Sequence, residues 1–138
     1  MSETIRLADY FYLHCPDRPG EGARALSQLK DAGINLLAFS AFPAGRQRTQ
    51  LDFVPEDPAA FRAAARRAGW KLTGPKKIFH IAGEDRVGVM ADVVSKLAAP
   101  KINITAMQAV GAEAGWFGAL LWVAPRDVKR AAKAFGTG

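Results

Sequence analysis

The stretch DRPGE at 17–21, together with the stretch GINL at 33–36, decides the fold of this chain. Pro19 and Gly20 form a polar turn after an apolar run, and proline is favoured at a helix start because the amide that it lacks is not needed there. Gly33 ends the helix that follows, since glycine adopts the left-handed cap without steric cost. A second apolar run begins at once. The pattern predicts a strand, a tight loop, a helix, a tight loop and a strand.

This stretch occurs a second time, 68 residues further along the chain (85 minus 17). The sequence DRVG at 85–88 repeats DRPG at 17–20, and IN at 34–35 becomes IN at 102–103. The alignment of the two copies needs no gap. Because two copies are too few for a solenoid, the repeat predicts a duplicated domain.

Each copy has the order strand, helix, strand, strand, helix, strand. This order predicts an α+β fold of two tandem ferredoxin-like (βαββαβ) units, each with an antiparallel sheet and both helices on one face. We expect the units at 8–74 and 76–138, with Gly74-Pro75 as the linker. Short sheets of this kind need a packing partner, so we also expect the two units to pack together.

The second copy ends before its last strand, which the offset places at Gly138. The second unit is therefore expected to lack that strand, and its first strand, Ile78–Ala82, should have an open edge. Open apolar edges attract other strands. We predict that this edge is covered by residues 4–7, by residues 70–73 or by another chain.

The composition is that of an ordinary globular protein. The 138 residues are 49% hydrophobic and 23% charged. They contain no run long enough for a membrane span and no N-terminal secretory signal. Cys15 is the only cysteine, so it cannot form an internal disulfide. These features predict a cytoplasmic protein without a membrane partner.

The sequence offers few groups for catalysis. His14 and His80 have no partners at metal-ligand spacing, and no Ser-His-Asp, Cys-His or paired-carboxylate pattern is visible. We therefore expect no catalytic residue, no metal and no cofactor, and we do not expect an enzyme. Cys15 lies near a helix start, which lowers a thiol pKa, but a lone cysteine at a strand end is more often a small buried hydrophobe.

The loop DRPG after the first strand and the segment GINL before the second resemble those of an ACT domain. A chain built only of two such units is similar to the stand-alone tandem ACT proteins. The resemblance implies an allosteric regulatory module that binds a free amino acid, usually at an interface between two ACT units. Some family members carry a ligand-binding histidine where this chain has Cys15 and Gly83, so that contact is absent here.

The resemblance also implies which residues meet the ligand. In the family the ligand contacts the loop after the first strand and the start of the second strand. The matching positions here are Asp17, Arg18, Gly20, Asn35 and Leu36 in the first copy, and Asp85, Arg86, Gly88, Asn103 and Ile104 in the second.

Physical chemistry supports a zwitterionic ligand at such a loop. The free amides of a helix start suit an α-carboxylate, and Asp17 or Asp85 suits the ammonium group. Two structural alternatives stay open: the aspartates would cap their helices, and Asn35 and Asn103 would hold their turns through side-chain bonds. Because Val87 and Lys101 replace the proline and glycine of the first copy, we expect the first loop to be better formed.

A nucleic-acid-binding module is the alternative function. The net charge of +6, the pI of about 9.8 and the aromatic stretch GWFGALLW at 115–122 favour it. Against it, Ala114 stands where RNA-recognition modules place a basic residue, and the basic residues fall on the second helices, opposite the face that stacks bases. These residues are Arg62, Arg66, Arg67, Arg126, Lys129, Arg130 and Lys133. A protein-interaction module without a ligand is a third interpretation.

The duplication also bears on assembly. Duplicated units that share an interface often extend it through a two-fold axis. The sequence therefore predicts a homodimer, whereas the regulated partner protein is not indicated by any motif.

Overall fold

A computed structural model describes residues 3–137 of the chain. The described residues form an α+β fold, as predicted, with antiparallel strand pairing. The strands are β1 (Glu3–Pro16), β2 (Leu36–Pro43), β3 (Arg48–Pro55), β4 (Thr73–Glu84), β5 (Ile104–Ala112) and β6 (Trp116–Val123), and the helices are α1 (Glu21–Asp31), α2 (Pro58–Arg67), α3 (Val89–Ala98) and α4 (Val128–Phe135).

The chain folds as two compact units. The N-terminal unit comprises residues 9–76, and the C-terminal unit comprises residues 3–8 with 77–137. The strand order is β2-β3-β1-β4 in the N-terminal unit and β1-β4-β6-β5 in the C-terminal unit. Strands β1 and β4 are long because each contributes one part to each unit.

Each unit has its own core beneath its helices. The core of the N-terminal unit is aromatic: the rings of Phe11 and Phe61 lie 5.1 Å apart, and Trp70 stacks on Phe53 at 5.5 Å. The core of the C-terminal unit is mainly aliphatic and contains Ile81, Val93, Leu97 and Leu121 beside Phe79. The repeated backbone therefore accommodates two differently packed interiors.

The repeat extends to several backbone hydrogen bonds of the loops and helix ends through β6. The amide of Asp17 donates to the carbonyl of Gln47 and the amide of Asp85 to that of Gly115, both at 2.8 Å. Helix α3 also ends as α1 does, although Lys101 stands in place of Gly33. Lys101 adopts the left-handed conformation itself, with φ of 59°. A lysine there costs some strain but preserves the turn.

Beyond β6 the gapless alignment is wrong. The amide of Gly136 donates to the carbonyl of Lys133, as the amide of Gly69 donates to the carbonyl of Arg66. These two corresponding bonds are 67 residues apart in the sequence, whereas the repeat offset up to β6 is 68 residues. The shift arises directly after β6, because one residue separates Val123 from Pro125, whereas two residues separate Pro55 from Pro58 at the start of α2. In α2 the cap is as predicted, because Asp57 accepts a hydrogen bond from the amide of Ala60 at 3.2 Å.

The predicted linker Gly74-Pro75 lies inside β4, so the linker prediction is wrong. Gly74 has φ of +129°, and a Cβ there would lie 2.8 Å from the carbonyl oxygen of Tyr10 and 3.0 Å from the ring of Phe11. Glycine is therefore present because two backbones approach closely, not because the chain is flexible. The boundaries 8–74 and 76–138 stay a prediction; in the structure, residues 3–8 group with the C-terminal unit.

We predict that Gly74→Ala destabilises the protein by about 2 kcal/mol or more, because it adds both backbone strain and a clash with a neighbouring strand. Urea denaturation measures the change. The control is Gly22→Ala, at a helical position where a Cβ meets no atom within 4 Å. That variant should match or exceed the wild type by up to about 1 kcal/mol. Equal stability of Gly74→Ala and the wild type would contradict the close-approach explanation.

Residues 3–8 supply the fourth strand of the C-terminal unit. They belong to β1, which is the neighbour of β4 in the strand order, and they group with residues 77–137. Ile5 and Leu7 pack against the core around Phe79, and the hydroxyl of Thr137 donates to the carbonyl of Ile5 at 2.7 Å. The edge of Ile78–Ala82 is thus covered by the first of the three predicted candidates. Gly138, where the missing strand was expected to begin, lies outside the described residues.

A variant that begins at Asp9 should lose this strand. We expect the amides of Ile78–Ala82 that face β1 to exchange hydrogen faster, and we expect the C-terminal unit to lose about 1–3 kcal/mol from the lost burial of Ile5 and Leu7. Hydrogen exchange read residue by residue measures both effects. The amides of β3, in the other unit, serve as the internal control and should stay protected. Unchanged exchange along Ile78–Ala82 would show that residues 3–8 do not cover this edge.

Candidate functional site

The loop between β1 and α1 is the centre of the predicted site in the N-terminal unit. Gly20 is the N-cap of α1 with φ of 91°, a left-handed conformation that suits glycine. Within the described residues no side chain caps this helix, so the alternative role of Asp17 as a helix cap is not supported. The amides of Gly22 and Ala23 donate no hydrogen bond to a backbone acceptor among residues 3–137. The first turn of α1 therefore presents free donors and a partial positive charge.

Asp17 and Arg18 differ in how strongly they are engaged. The carboxylate of Asp17 accepts one long hydrogen bond, 3.4 Å, from the hydroxyl of Thr49. Arg18, in contrast, donates to the carboxylate of Glu21 through Nε at 3.1 Å and through Nη2 at 2.8 Å. Asp17 thus retains acceptor capacity for a ligand, whereas Arg18 is committed to an ion pair.

Asn35 and Leu36 lie at the other end of the sheet. In the pairing register Pro16, at the end of β1, is opposite Arg48, whereas Leu36 is opposite Pro55. Seven residues along β3 separate these two levels, a distance of roughly 23 Å. Asn35 and Leu36 therefore do not meet the Asp17 loop within this unit.

The local contacts of these two residues are simple. The carbonyl of Asn35 accepts the amide of Glu56 at 3.0 Å. The side chain of Asn35 is exposed and makes no hydrogen bond with the described residues, so the turn is held by the backbone. Leu36 packs at the margin of the N-terminal core. The alternative in which the side chain of Asn35 holds its turn is therefore not supported among the described residues.

The second loop has the same backbone but different charges. Gly88 caps α3 with φ of 82°, and Val87 is fully exposed. Arg86 pairs with Asp92 at 2.7 Å, at the position where the first copy has Arg24. Asp85 has its amide bonded to Gly115.

Asn103 and Ile104 again lie at the opposite end of their sheet, because Ile104 is opposite Val123 whereas the end of β4 is opposite Trp116. The ten predicted residues thus fall into two loops and two strand starts, and neither unit brings its own loop and strand start together. Asn103 is exposed, and Ile104 packs at the margin of its core.

The charge balance distinguishes the two loops. The first loop and the first turn of its helix carry two acids, Asp17 and Glu21, and two bases, Arg18 and Arg24. The second carries two acids, Asp85 and Asp92, and one base, Arg86. An anionic group is therefore less strongly repelled by the first loop.

A cleft of about 340 Å³ lies beside the first loop, and sequence reasoning missed it. It is bounded by the end of β1, one face of α1 and the segment 69–71. Trp70 forms an apolar wall, and its indole nitrogen donates to the side-chain oxygen of Gln28 at 3.0 Å. The lining comprises Leu13, His14, Cys15, Glu21, Arg24, Ala25, Gln28, Leu51, Gly69, Trp70 and Lys71.

The cleft combines an apolar floor with a charged rim. Its lining residues Glu21, Arg24 and Gln28 are spaced three and four residues apart, so they share one face of α1. The sequence shows this spacing. It does not show that Trp70 lies against the same face of α1, because that contact forms only in the folded chain. A cleft of this size falls within the range of small-molecule sites.

Cys15 lines the cleft, but its thiol is not activated. Burial raises the pKa of Cys15 above its ordinary 9.0, and the negative charges of Glu21 and Asp17 raise it further. Arg24 lowers it, but this effect is smaller. Of the two interpretations of Cys15, the structure favours the inert thiol over the nucleophile.

We predict that alkylation of Cys15 by iodoacetamide has a pH midpoint above 9.0, because only the thiolate reacts. Glu21→Gln should lower the midpoint by removing a negative charge, and Arg24→Gln should raise it by removing a positive one. Mass spectrometry of the labelled protein at successive pH values measures both shifts. The urea-unfolded chain provides the reference midpoint. Midpoints that do not move in opposite directions would contradict this electrostatic account.

A polar chain runs across β1 and β3 on the sheet face opposite the helices. His14 Nε2 and Gln50 Oε1 lie 2.9 Å apart, and Gln50 donates through Nε2 to Asp52 Oδ1 at 2.8 Å. Asp52 is only 4% exposed. Burial raises the pKa of Asp52, and the hydrogen bond from Gln50 opposes that shift. His14 is thus part of a structural network rather than a base beside Cys15.

The aromatic strand does not form a nucleic-acid platform. In β6, Phe117 and Leu121 point into the core beneath the helices, and Leu120 is buried on the other face. Of the aromatic residues in β6, only Trp116 is largely exposed. The seven basic residues predicted on the second helices are exposed and lie on α2, on α4 and in the turn before α4. The geometry therefore gives the nucleic-acid interpretation no specific support.

Within residues 3–137 no three His, Cys, Asp or Glu side chains are grouped so that they would hold a metal ion. No helix in the same range is both long enough and apolar enough to cross a membrane.

Comparison with known proteins defines the fold. No protein-family model matches the chain, and no curated protein matches it by sequence. Among solved structures, protein BT0572 from Bacteroides thetaiotaomicron is 16% identical, with a TM-score of 0.79, over 96% of this chain and 88% of that protein. The ligand-free regulatory subunit of aspartate kinase from Thermus thermophilus is also 16% identical, with a TM-score of 0.65, over 99% and 95%. The corresponding subunit from Thermus flavus is 19% identical, with a TM-score of 0.60, over the same shares.

These similarities extend over nearly the full length of this chain. The predicted resemblance to stand-alone tandem ACT proteins is therefore confirmed at the level of the fold. The chain has the fold of the regulatory subunits of aspartate kinase. At such low sequence identity, the function must be argued from the site itself.

Proposed function

We propose that this protein is a small regulatory module that binds a free amino acid without transforming it. The observation that carries the proposal is the first loop, where unpaired amides of α1 lie beside an incompletely engaged carboxylate. The amides of Gly22 and Ala23 would bind the α-carboxylate, and Asp17 would bind the ammonium group. The fold, shared with regulatory subunits of aspartate kinase, supports a regulatory rather than a catalytic role.

The neighbouring cleft gives the ligand side chain a place to lie. Cys15 and Glu21, which flank the loop in sequence, also line the cleft. Its apolar floor of Leu13, Leu51 and Trp70 suits an aliphatic or aromatic side chain, and its charged rim suits the polar groups at the Cα. We therefore propose an amino acid with an apolar side chain as the ligand, bound at the N-terminal unit.

Several features support binding without catalysis. The raised pKa of Cys15 keeps its thiol protonated at neutral pH. His14 is bonded to Gln50 and so is not positioned as a general base. A lone cysteine also agrees with a reducing, cytoplasmic setting.

The proposal is tested by a thermal-melt screen against the common amino acids. A ligand at 100 times its dissociation constant stabilises the native state by about 2.7 kcal/mol. We expect the melting temperature to rise by several degrees for apolar amino acids. Asp17→Ala should reduce this shift while leaving the unliganded melt nearly unchanged, because its carboxylate makes only one long hydrogen bond.

The internal repeat provides a matched control. Asp85→Ala changes the corresponding residue of the second loop, and it should leave the shift intact. If no amino acid at millimolar concentration moves the melt, or if Asp17→Ala and Asp85→Ala behave alike, the assignment to the first loop is wrong. A salt-dependent mobility shift with RNA would instead favour the nucleic-acid interpretation, and no response in either assay would favour an interaction module without a ligand.

A further inference from the structure

A groove of about 560 Å³ lies along α4 in the C-terminal unit. Its floor is apolar and is formed by Val128 and Ala132 of the helix and by Leu7 of β1. Leu7 and Val128 are partly buried and pack against the core around Phe79. Gly136, which follows the helix, borders the groove without a side chain. A groove with such a floor can bury an apolar group of a ligand.

The rim of the groove is positively charged. Lys129 and Lys133 line it and are four residues apart, so their side chains lie on the same face of α4. Both are exposed, and neither ammonium group forms an ion pair or a hydrogen bond with another residue of the range 3–137. No acidic residue belongs to the described lining. Two available cations beside an apolar floor favour a ligand that is anionic at one end and apolar at the other.

The remaining charges of this segment do not neutralise the two lysines. Arg130 donates to the carbonyl of Pro100 at 3.0 Å and to the carboxylate of Asp127 at 3.2 Å. Asp127 is the only acid in the sequence from 125 to 137. Because this carboxylate is already paired with Arg130, the ammonium groups at the groove remain available for an external anion.

The internal repeat shows what distinguishes this groove. The spacing of 67 residues that relates α4 to α2 matches the two groove lysines to Arg62 and Arg66, so both helices carry the basic pair. The same spacing matches Val128 to Phe61, which is fully buried with its ring 6.3 Å from that of Trp70. The C-terminal unit therefore has a small, partly buried side chain beside its basic pair where the N-terminal unit has a buried ring.

We propose that this groove binds an anionic amphiphile, a small organic anion such as an alkyl carboxylate. Its head group lies between Lys129 and Lys133, and its chain lies on Leu7 and Val128. Lysine is a point charge without the planar fork of arginine, so the site selects for negative charge rather than for one head-group geometry. The two lysines repel the ammonium group of a free amino acid, so this ligand class differs from that proposed for the first loop.

NMR titration of the full chain with octanoate tests the proposal. The amide signals of residues 5–7 and 128–136 should shift. The affinity should rise from butanoate through hexanoate to octanoate, by up to about fourfold for each added methylene group, because each methylene buries more apolar surface. Octyl phosphate, with more negative charge, should bind at least as tightly as octanoate. Octylammonium has the same chain and the opposite charge, so it should not shift these signals.

Matched variants test the two halves of the site. Lys129→Gln combined with Lys133→Gln should weaken octanoate binding about fivefold, because both cations are lost. Arg62→Gln combined with Arg66→Gln removes the same charge from the corresponding positions of α2 and should leave the affinity within about twofold of the wild type. Val128→Phe introduces the residue of the first copy and should remove the dependence on chain length by filling the groove. Thermal melts without ligand confirm that the variants are folded.

Several outcomes would overturn the proposal. Equal loss in the two charge variants would show an effect of net charge alone. Binding of octylammonium, or an affinity independent of chain length, would show that the groove does not combine charge with apolar burial. Binding to phosphatidylglycerol vesicles without a response to octanoate would show a lipid surface instead of a free ligand. The lysine variant should keep the melt shift with an amino acid, so this site and the first loop are tested independently.

Discussion

The close approach of β4 to β1 at Gly74 is the constraint on which the architecture depends. A side chain at that position would meet the backbone of Tyr10 and Phe11, so only glycine lets the two strands run side by side. Because the strands can pair there, β4 passes through Gly74 without interruption and enters the second unit as its first strand. The same residue that resembles a linker in the sequence thus provides continuity in the structure.

The sequence predicted the fold well where local chemistry determines it. The helix starts at Gly20 and Gly88, the cap at Asp57 and the duplicated strand order all depend on residues close together in the chain. It failed where distant segments meet. The glycine of β4 resembles a turn unless Tyr10 is known to lie against it. The one-residue shift after β6 is hidden in the sequence because Arg62-Ala63-Ala64 recurs at 130–132, at the offset of 68.

The candidate site shows the same division. The loop that carries Asp17 was predictable, because its backbone is set by Pro19 and Gly20. The cleft beside it was not, since it forms only when Trp70 returns to the face of α1 that carries Gln28. The asparagines were predicted as partners of the loops, but strand length places them at the far end of each sheet. Sequence motifs identify which residues are distinctive, and the register of the strands decides which of them meet.

The C-terminal unit takes its fourth strand from the first residues of the chain, and this has a consequence for synthesis. Residues 9–76 are contiguous, so the N-terminal unit can complete its structure while the chain is still being made. The C-terminal unit cannot, because the carbonyl of Ile5 accepts a hydrogen bond from Thr137, and Thr137 is added only when synthesis has passed nearly all of the described residues. Such a distant closure is entropically costly and slow. The hydrogen bond between Thr137 and Ile5 is therefore among the last contacts to form, and the order of translation separates the maturation of the two repeated units.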